Sequence, residues 1–306
     1  MRIVVMGAGA VGGYFGGRLA AAGTDVTLIA RGAHLAAIQR DGLRIESPLG
    51  DATVPVAATE DPAAAGTADI VLVLVKLYDT AAALAAIRPL VGPATTVLSL
   101  QNGIDAEAAI TEAYGADRAA GGAAYIGADV KEPGVVRHST AFARLVFGAF
   151  DGSDRPALRD FASAMAAAGL DHLLADDIRK RLWDKFIFLS AFSAVTSLAR
   201  LPIGPILDDP AGRALYVAAI EESLAVARHH ESGIAPDFLD EHMSFISAAN
   251  PMMRSSMLDD LTRGKRLEIE GLSGRIVALG EAAGIPTPVH RVAWSALRPS
   301  REGIPA

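Results

Sequence analysis

Near the amino terminus, Gly7-Ala8-Gly9-Ala10-Val11-Gly12 follows an apolar run over 2–6 and opens a stretch of helix-forming residues. In that setting the first glycine permits a tight turn, the second lets a pyrophosphate approach the backbone, and the third lets helix and strand pack closely. Free N–H groups at the helix start then hold the phosphate oxygens. A glycine-rich turn without a ligand has the same spacing. The strand before it and the helix after it favour a bound dinucleotide.

Which dinucleotide depends on the end of the second strand, where NAD-binding folds usually place an acid for the ribose hydroxyls. That strand ends Thr27-Leu28-Ile29-Ala30-Arg31, with no carboxylate and a guanidinium beside its place. Arg31 has the fork that pairs with a 2'-phosphate, so NADPH/NADP is the expected cofactor, against the reading of Arg31 as a solvated surface residue. Two further strand ends carry polar residues. Lys76 closes one, and Gln101-Asn102-Gly103 closes the other. In a doubly wound sheet, ligands bind outside the carboxyl ends of strands, which points Lys76 and Asn102 at the cofactor. A strand-end lysine in solvent and a simple Asn-Gly turn are the alternatives.

In the second half, Lys185 precedes Phe186, Ile187, Phe188, Leu189, Ala191 and Phe192, a helix so apolar all round that it must be buried. Residues four apart share a helix face, so Lys185, Leu189 and Ser193 line one stripe, with Thr196 continuing it. An ammonium there has the chemistry of carbonyl reduction: it binds the oxygen and gives it a proton as hydride arrives. A lysine whose stem packs while its head reaches water has the same spacing, and both readings stay open on spacing alone.

Taken together, these residues resemble the ketopantoate reductase family, the 2-dehydropantoate 2-reductases. The likeness runs over essentially the whole chain. It is carried by the initial Gly-Ala-Gly-Ala-Val-Gly, the strand ending in Lys76, Gln101-Asn102-Gly103, Leu182-Trp183-Asp184-Lys185, Ser255-Ser256-Met257-Leu258-Asp259-Asp260, Glu268-Ile269-Glu270 and Gly284-Ile285-Pro286-Thr287-Pro288-Val289. The resemblance implies reduction of 2-dehydropantoate to pantoate in pantothenate synthesis, by enzymes that commonly form homodimers. It makes Lys185 the general acid, Glu268 its acidic partner and Asn102 the residue that orients cofactor and lysine. Ser256 becomes the serine that holds the substrate carboxylate, and Arg31 and Lys76 line the cofactor.

The chain departs from the family on the stripe already described. Four and eight residues after the lysine, where well-studied members carry two asparagines, stand Leu189 and Ser193. An amide able to bond a substrate hydroxyl is gone at the first position and shortened at the second. A site built to bond a hydroxyl discriminates strongly, so a more apolar 2-oxo acid competes with ketopantoate as the expected substrate. An NADPH-binding regulator without turnover would have no use for Lys185, Asn102 and Glu268 together. His229-His230-Glu231 lacks metal-box spacing, and Gly271-Leu272-Ser273-Gly274 lacks that of a hydrolase elbow, so neither a metal nor a nucleophilic serine is expected.

These residues need elements to hold them. Apolar runs alternate with helical patterns through the first 170 or so residues. Strands are expected over 2–6, 25–29, 69–75, 95–100, 120–127, 135–138 and 143–147, the later ones antiparallel. Helices are expected over 11–22, 33–40, 80–90 and 106–114. Strands apolar on both faces between helices make a parallel sheet covered on both sides. Long helical patterns then follow over 178–199, 210–231, 236–246, 253–263, 266–283 and 289–297, with 298–306 frayed. The expected fold class is thus α/β, an N-terminal Rossmann-type doubly wound sheet over 1–172 with a C-terminal all-helical domain over 173–306.

Composition fits and narrows this. A chain of 306 residues is long for one core. With 28 basic against 35 acidic residues and no dense basic block, nucleic-acid binding is not expected. The absence of cysteine excludes disulfides, thiolate catalysis and sulfur-ligated zinc. Glycines 7, 9, 12, 13, 16 and 17 interrupt any signal-like apolar core, and no unbroken apolar run of membrane length occurs, so a cytoplasmic protein is expected.

Overall fold

The computed structural model describes residues 1–231 and 233–303. The chain divides into two compact units, Met1–Arg181 and Leu182–Ala306.

The first unit runs β1 (Arg2–Met6), α1 (Ala10–Ala21), β2 (Asp25–Ile29), α2 (Gly32–Asp41), β3 (Leu43–Glu46), β4 (Ala52–Val54), β5 (Ala57–Thr59), β6 (Ala68–Val73), α3 (Thr80–Ala86), β7 (Val91–Ser99), α4 (Ala106–Tyr114), β8 (Ala119–Tyr125), β9 (Ala128–Glu132), β10 (Val135–His138), β11 (Arg144–Ala149), α5 (Pro156–Ala167) and β12 (Asp171–Leu174). Eight strands form one sheet in the order β12-β11-β8-β7-β6-β1-β2-β5. All its neighbours are parallel except β8 with β11, so the sheet is Rossmann-type with an antiparallel step near one edge. Its centre is apolar on both faces, as a sheet covered on both sides requires: Ile3, Val4, Val5, Ile70, Val71 and Leu72 are all fully buried.

Two features of this unit go beyond the expected elements. Helix α5 presents Leu158, Phe161 and Met165 at helical spacing to the core that also holds Ile3, Phe15 and Phe147. A second, four-stranded sheet of order β4-β3-β10-β9 lies against α1. Of its strands only β10 coincides with an expected one; β3 and β4 are short and Ala128–Glu132 is largely exposed, so their alternation is too brief to read from sequence.

Packing on α1 explains its glycines. A Cβ at Gly12 would meet Gly7 O at 2.2 Å, and one at Gly16 would meet Leu28 and Val5 side chains at 2.9 and 3.1 Å. On the neighbouring face, a Cβ at Gly13 would meet Val136 at 2.8 Å, and one at Gly17 would meet Leu43 and Ile45 at 2.8 and 2.9 Å.

The second unit is helical, as expected. It comprises most of α6 (Ile178–Ala199), within which the division falls, and then α7 (Ile203–Asp208), α8 (Pro210–His230), α9 (Phe238–Ala248), α10 (Ser256–Thr262), α11 (Ser273–Ala283) and α12 (Pro288–Leu297). By length and composition α6 could cross a membrane, yet it is a core helix. Its Ile187, Ala191, Phe192 and Val195 pack with Ile206 of α7, with Tyr216, Ile220 and Leu224 of α8, and with Ile246 of α9. A buried polar chain runs through the same helices: Ser190 Oγ lies 3.2 Å from Ser223 Oγ, which lies 2.8 Å from His290 Nε2, whose Nδ1 lies 3.2 Å from Ser273 Oγ. Burial holds the His290 imidazole down at about 4, so it stays neutral at physiological pH. The Glu222 carboxylate accepts from the N–H groups of Val289 and His290 at 2.7 and 3.0 Å, satisfying the first turn of α12.

Two expectations fail here. The helix expected over 266–283 starts only at Ser273. Before it the backbone is irregular, with Leu267, Glu268 and Ile269 buried in succession and Gly271 N–H donating back to Glu268 O at 3.1 Å. Three consecutive buried residues cannot all lie on one helix stripe. The expected fraying also fails as far as Gly303. Arg301 O accepts from Leu267 N–H at 2.8 Å and Arg298 Nε donates to Glu270 at 3.0 Å; residues 304–306 lie outside the described residues.

Replacing Gly12 with alanine forces a Cβ onto the Gly7 carbonyl and should cost about 1–3 kcal/mol, as overpacking does. The measurement is the urea midpoint of the first unit's unfolding; an unchanged midpoint would show that the helix can simply move away.

Candidate active site

The carboxyl ends of β1, β2, β6 and β7 each deliver one of the residues singled out from the sequence. After β1, Gly7 takes φ +108°, and a Cβ there would lie 2.9 Å from the Leu74 carbonyl carbon and from Val75 N. The loop is thereby pressed onto the segment that follows β6. Gly9 caps α1 with no side-chain acceptor, and no acidic residue stands in the helix's first turn. Gly13 N–H makes the first intrahelical bond, to Gly9 O at 2.8 Å. Ala10, Val11 and Gly12 therefore present N–H groups that a helix cannot satisfy internally. A Cβ placed on Gly9 meets nothing within 4 Å. Donors without a carboxylate beside them, next to open space, fit a pyrophosphate.

Arg31 is exposed at the N-cap of α2, directly after β2. Its exposure leaves the guanidinium accessible to a 2'-phosphate. Lys76 stands three residues beyond the end of β6 rather than at its last position, because the ladder ends at Val73 and only Leu74 N–H, bonded to Met6 O at 2.9 Å, continues it.

Gln101, which the sequence reading treated only as part of a motif, organises this corner. It is buried, its amide donates to Val75 O at 3.0 Å and to Thr80 Oγ1 at 2.8 Å, and Ser99 Oγ donates to its carbonyl at 3.2 Å. These bonds tie the end of β7 to the segment carrying Lys76 and fix where Asn102 begins. Asn102 itself is half-buried, and Gly103 at φ +86° turns the chain after it.

In the second unit the apolar run of α6 surrounds one lysine. Lys185 is half-buried on that helix, and burial lowers its ammonium from 10.5 to about 8, with Glu268 acting in the opposite direction. Glu268 is only 6% exposed and lies on the irregular segment before α11. The structure thus brings together the lysine and the acid that the sequence separates by more than eighty residues. Such a pair can hold and release a proton close to physiological pH.

Along the stripe from Lys185, Leu189 is half-buried and Ser193 fully buried, with no hydrogen-bond partner for its hydroxyl among the described residues. Ser197, which the sequence reading passed over, is in the same condition four residues on. The spacing of four contained that signal. Thr196, named instead, bonds back to Phe192 O at 2.6 Å and to Ser255 Oγ at 2.8 Å. Ser255 is the buried N-cap of α10, accepting from Leu258 N–H at 3.0 Å, whereas Ser256 is exposed at the helix's first position. Of the two serines, Ser256 is the one free to meet a ligand. Trp183 stacks on His230 at 5.7 Å, and His242 Nε2 lies at hydrogen-bond distance, 2.8 Å, from Tyr216 Oη, so these histidines serve packing.

Comparison with known proteins accords with both halves of the chain. The family description "Ketopantoate reductase PanE/ApbA" matches residues 3–152, and its C-terminal counterpart matches residues 177–301. A 2-dehydropantoate 2-reductase of Halobacterium salinarum is 33% identical over 294 residues, covering 95% of this chain and 96% of that protein. The crystal structure of a PanE/ApbA family ketopantoate reductase from Ralstonia eutropha superposes with a TM-score of 0.90 at 36% identity, covering 98% of each chain. D-mandelate dehydrogenase, solved with NADH and anilino(oxo)acetate, superposes with a TM-score of 0.89 over 98% of each chain at 20% identity, which speaks to the fold alone.

Glu268 raises the Lys185 pKa, so its replacement by glutamine should lower the lysine further below about 8. A pH titration of the lysine Nζ by NMR reads this directly. A midpoint that stays put or rises would remove Glu268 from the lysine's surroundings.

Proposed function

Because the chain belongs to the ketopantoate reductase family, we propose that it uses NADPH to reduce the carbonyl of a small 2-oxo acid to the 2-hydroxy acid, with 2-dehydropantoate to pantoate as the reference reaction. At the coarser level it is an oxidoreductase of that family. The observation that supports the finer reading is Lys185, held near pKa 8 on an apolar helix beside buried Glu268.

In this reading the N–H groups of Ala10, Val11 and Gly12 hold the pyrophosphate, Arg31 holds the 2'-phosphate, and Lys76 and Asn102 flank the bound cofactor. NADPH, when bound, supplies a hydride to the carbonyl carbon. Lys185 donates a hydrogen bond to the carbonyl oxygen, stabilises the negative charge that develops there and transfers its proton, giving the hydroxyl. Glu268, as a carboxylate, keeps the ammonium charged and well placed. Ser256 binds the substrate carboxylate. A homodimer and a cytoplasmic setting belong to the same proposal.

A second reading of the substrate is favoured by Leu189. It puts hydrocarbon four residues from the lysine, on the same face, and suits a 2-oxo acid with a branched apolar group better than one with a hydroxyl.

Four measurements test the proposal. Lys185→Ala should lower kcat/KM for NADPH oxidation by about 10²- to 10⁴-fold, the range for loss of a general acid; full activity would refute the mechanism. Because the acid must be protonated, the rate of reduction should fall as pH rises through about 8, and in Glu268→Gln the fall should begin at lower pH. Arg31→Ala should weaken NADPH about tenfold or more while leaving NADH nearly unaffected, as loss of a charge-assisted pair does. Among substrates, a preference for ketopantoate over branched 2-oxo acids as large as about a thousandfold would rule out the apolar-pocket reading.

A further inference from the structure

The glycine-rich loop is held from behind by a histidine that has no counterpart in the chemistry above. His34 lies in the first turn of α2, half-buried. Its Nε2 is 2.8 Å from the Ala8 carbonyl oxygen, and its Nδ1 is 2.9 Å from the backbone nitrogen of Gly134, in the turn between β9 and β10. A backbone N–H can only donate, so Nδ1 is an acceptor and the ring's proton sits on Nε2, donated to Ala8 O. The two partners fix the tautomer, and both ring nitrogens are used.

Both of those partners are themselves anchored. Ala8 N–H donates to Ile29 O at 3.1 Å, so the residue is bonded through its N–H to the end of β2 and through its C=O to the ring. Gly134 O accepts from Arg44 N–H at 2.9 Å, and a Cβ on Gly134 would meet the Ala37 Cβ at 2.8 Å. The turn therefore rests on α2 and on β3, and His34 links the four-stranded sheet to the glycine loop.

The consequence lies in one peptide plane. In a trans peptide the C=O and the following N–H point in opposite directions. With the Ala8 carbonyl turned onto the His34 ring, the Gly9 N–H is aimed away from it. Gly9 is exposed, and its Cβ position faces open space. The histidine thus decides which way the first donor of the loop points, without touching a ligand itself.

We propose that neutral His34 is a positioning residue for the dinucleotide's pyrophosphate, holding the Ala8–Gly9 peptide so that the Gly9 N–H joins those of α1 on the ligand side. This rests on the nucleotide reading given above. Protonation of Nδ1 would set an N–H against the Gly134 N–H and break the link. Burial already lowers the ring's pKa below 6.5, the bond to Ala8 O opposing it. The charged residues on the segments that meet the ring are Arg31 at the start of α2, Arg40 and Asp41 at its far end, paired with each other at 2.6 Å, and Lys131 and Glu132 before the turn, with Lys131 engaged with Glu46 at 2.8 Å.

The test is calorimetric titration of NADP+ and NAD+ into the full chain and two variants. His34→Ala should weaken both dinucleotides by the same factor, about three- to tenfold for one lost hydrogen bond, because both carry the pyrophosphate. Arg31→Ala, by contrast, should affect NADP+ alone. His34→Gln, with one donor and one acceptor that do not titrate, should bind within about twofold of the unsubstituted protein at neutral pH. Between about pH 7.5 and 5 the unsubstituted protein should lose affinity for NAD+, and His34→Gln should not. Should His34→Ala fail to fold, this pH comparison decides alone. Unaltered binding in a folded His34→Ala, or the same pH dependence in His34→Gln, overturns the proposal while leaving the nucleotide reading intact. A protein that binds neither dinucleotide overturns that reading and the proposal with it.

Discussion

Helix α1 carries glycines on two adjacent faces, and sheets press on both. Gly12 and Gly16 let it approach β1 and β2, while Gly13 and Gly17 let it approach β3 and β10. Spacing of four on a helix aligns residues along one side, so two interleaved pairs open two grooves. Everything at the nucleotide end of the first unit depends on this double approach. It brings the start of α1 close enough to the end of β1 for the loop between them to be only three residues long. It also brings the four-stranded sheet within reach of the same loop, so that Gly134 and His34 can support it from behind. Larger residues at either pair would push one sheet away and tilt the N–H groups that the helix start offers.

The second unit is governed by a different constraint, the cost of keeping an ammonium among hydrocarbon. Lys185 follows Trp183 and Asp184 and precedes a run of aromatic and aliphatic residues, so desolvation works against its charge. Glu268 opposes that, and the balance leaves the lysine near 8 rather than at its ordinary value or fully neutral. The environment that packs α6 into the core is the same one that lowers its lysine. On the proposed reading, a helix that looks like a membrane span in composition thus serves chemistry near its start.

How much of this could be read from the sequence follows from the length and contrast of each pattern. β1 and β2 were legible to the residue because in each a charged residue, Arg2 or Asp25, opens a short β-rich run that stops just before the glycine turn or the start of α2. α6 was legible because its apolar run is longer than any strand. Of the small sheet only β10 was legible, since β3 and β4 have four and three residues and β9 is exposed, leaving no periodicity to count. Glu268 was found through a motif, but its setting was misjudged: helical propensity over 266–272 loses to the burial of Leu267, Glu268 and Ile269 together. Gln101 and His34 were invisible as positioning residues because their partners are backbone groups. A backbone carbonyl such as Ala8 O or Val75 O leaves no mark on residue type.

The stripe on α6 also bears on what distinguishes substrates. Successive residues rise about 1.5 Å along a helix, so Leu189 lies about 6 Å beyond Lys185, Ser193 about 12 Å and Ser197 about 18 Å. Side chains on a helix lean toward its N-terminus, which carries a long lysine further from the serines still. A small 2-oxo acid held at the lysine therefore lies beside Leu189 and far short of Ser197. Ser190 and Thr196 show how a hydroxyl is settled in this helix, by bonding to the carbonyl four residues back at 2.6 Å, and Ser193 and Ser197 do not do so. A buried hydroxyl without a partner costs roughly 1–3 kcal/mol. On the proposed reading, then, selectivity between a hydroxylated and a purely hydrocarbon 2-oxo acid falls to Leu189, the one residue of the stripe that is both partly accessible and within a small molecule's length of the proton donor.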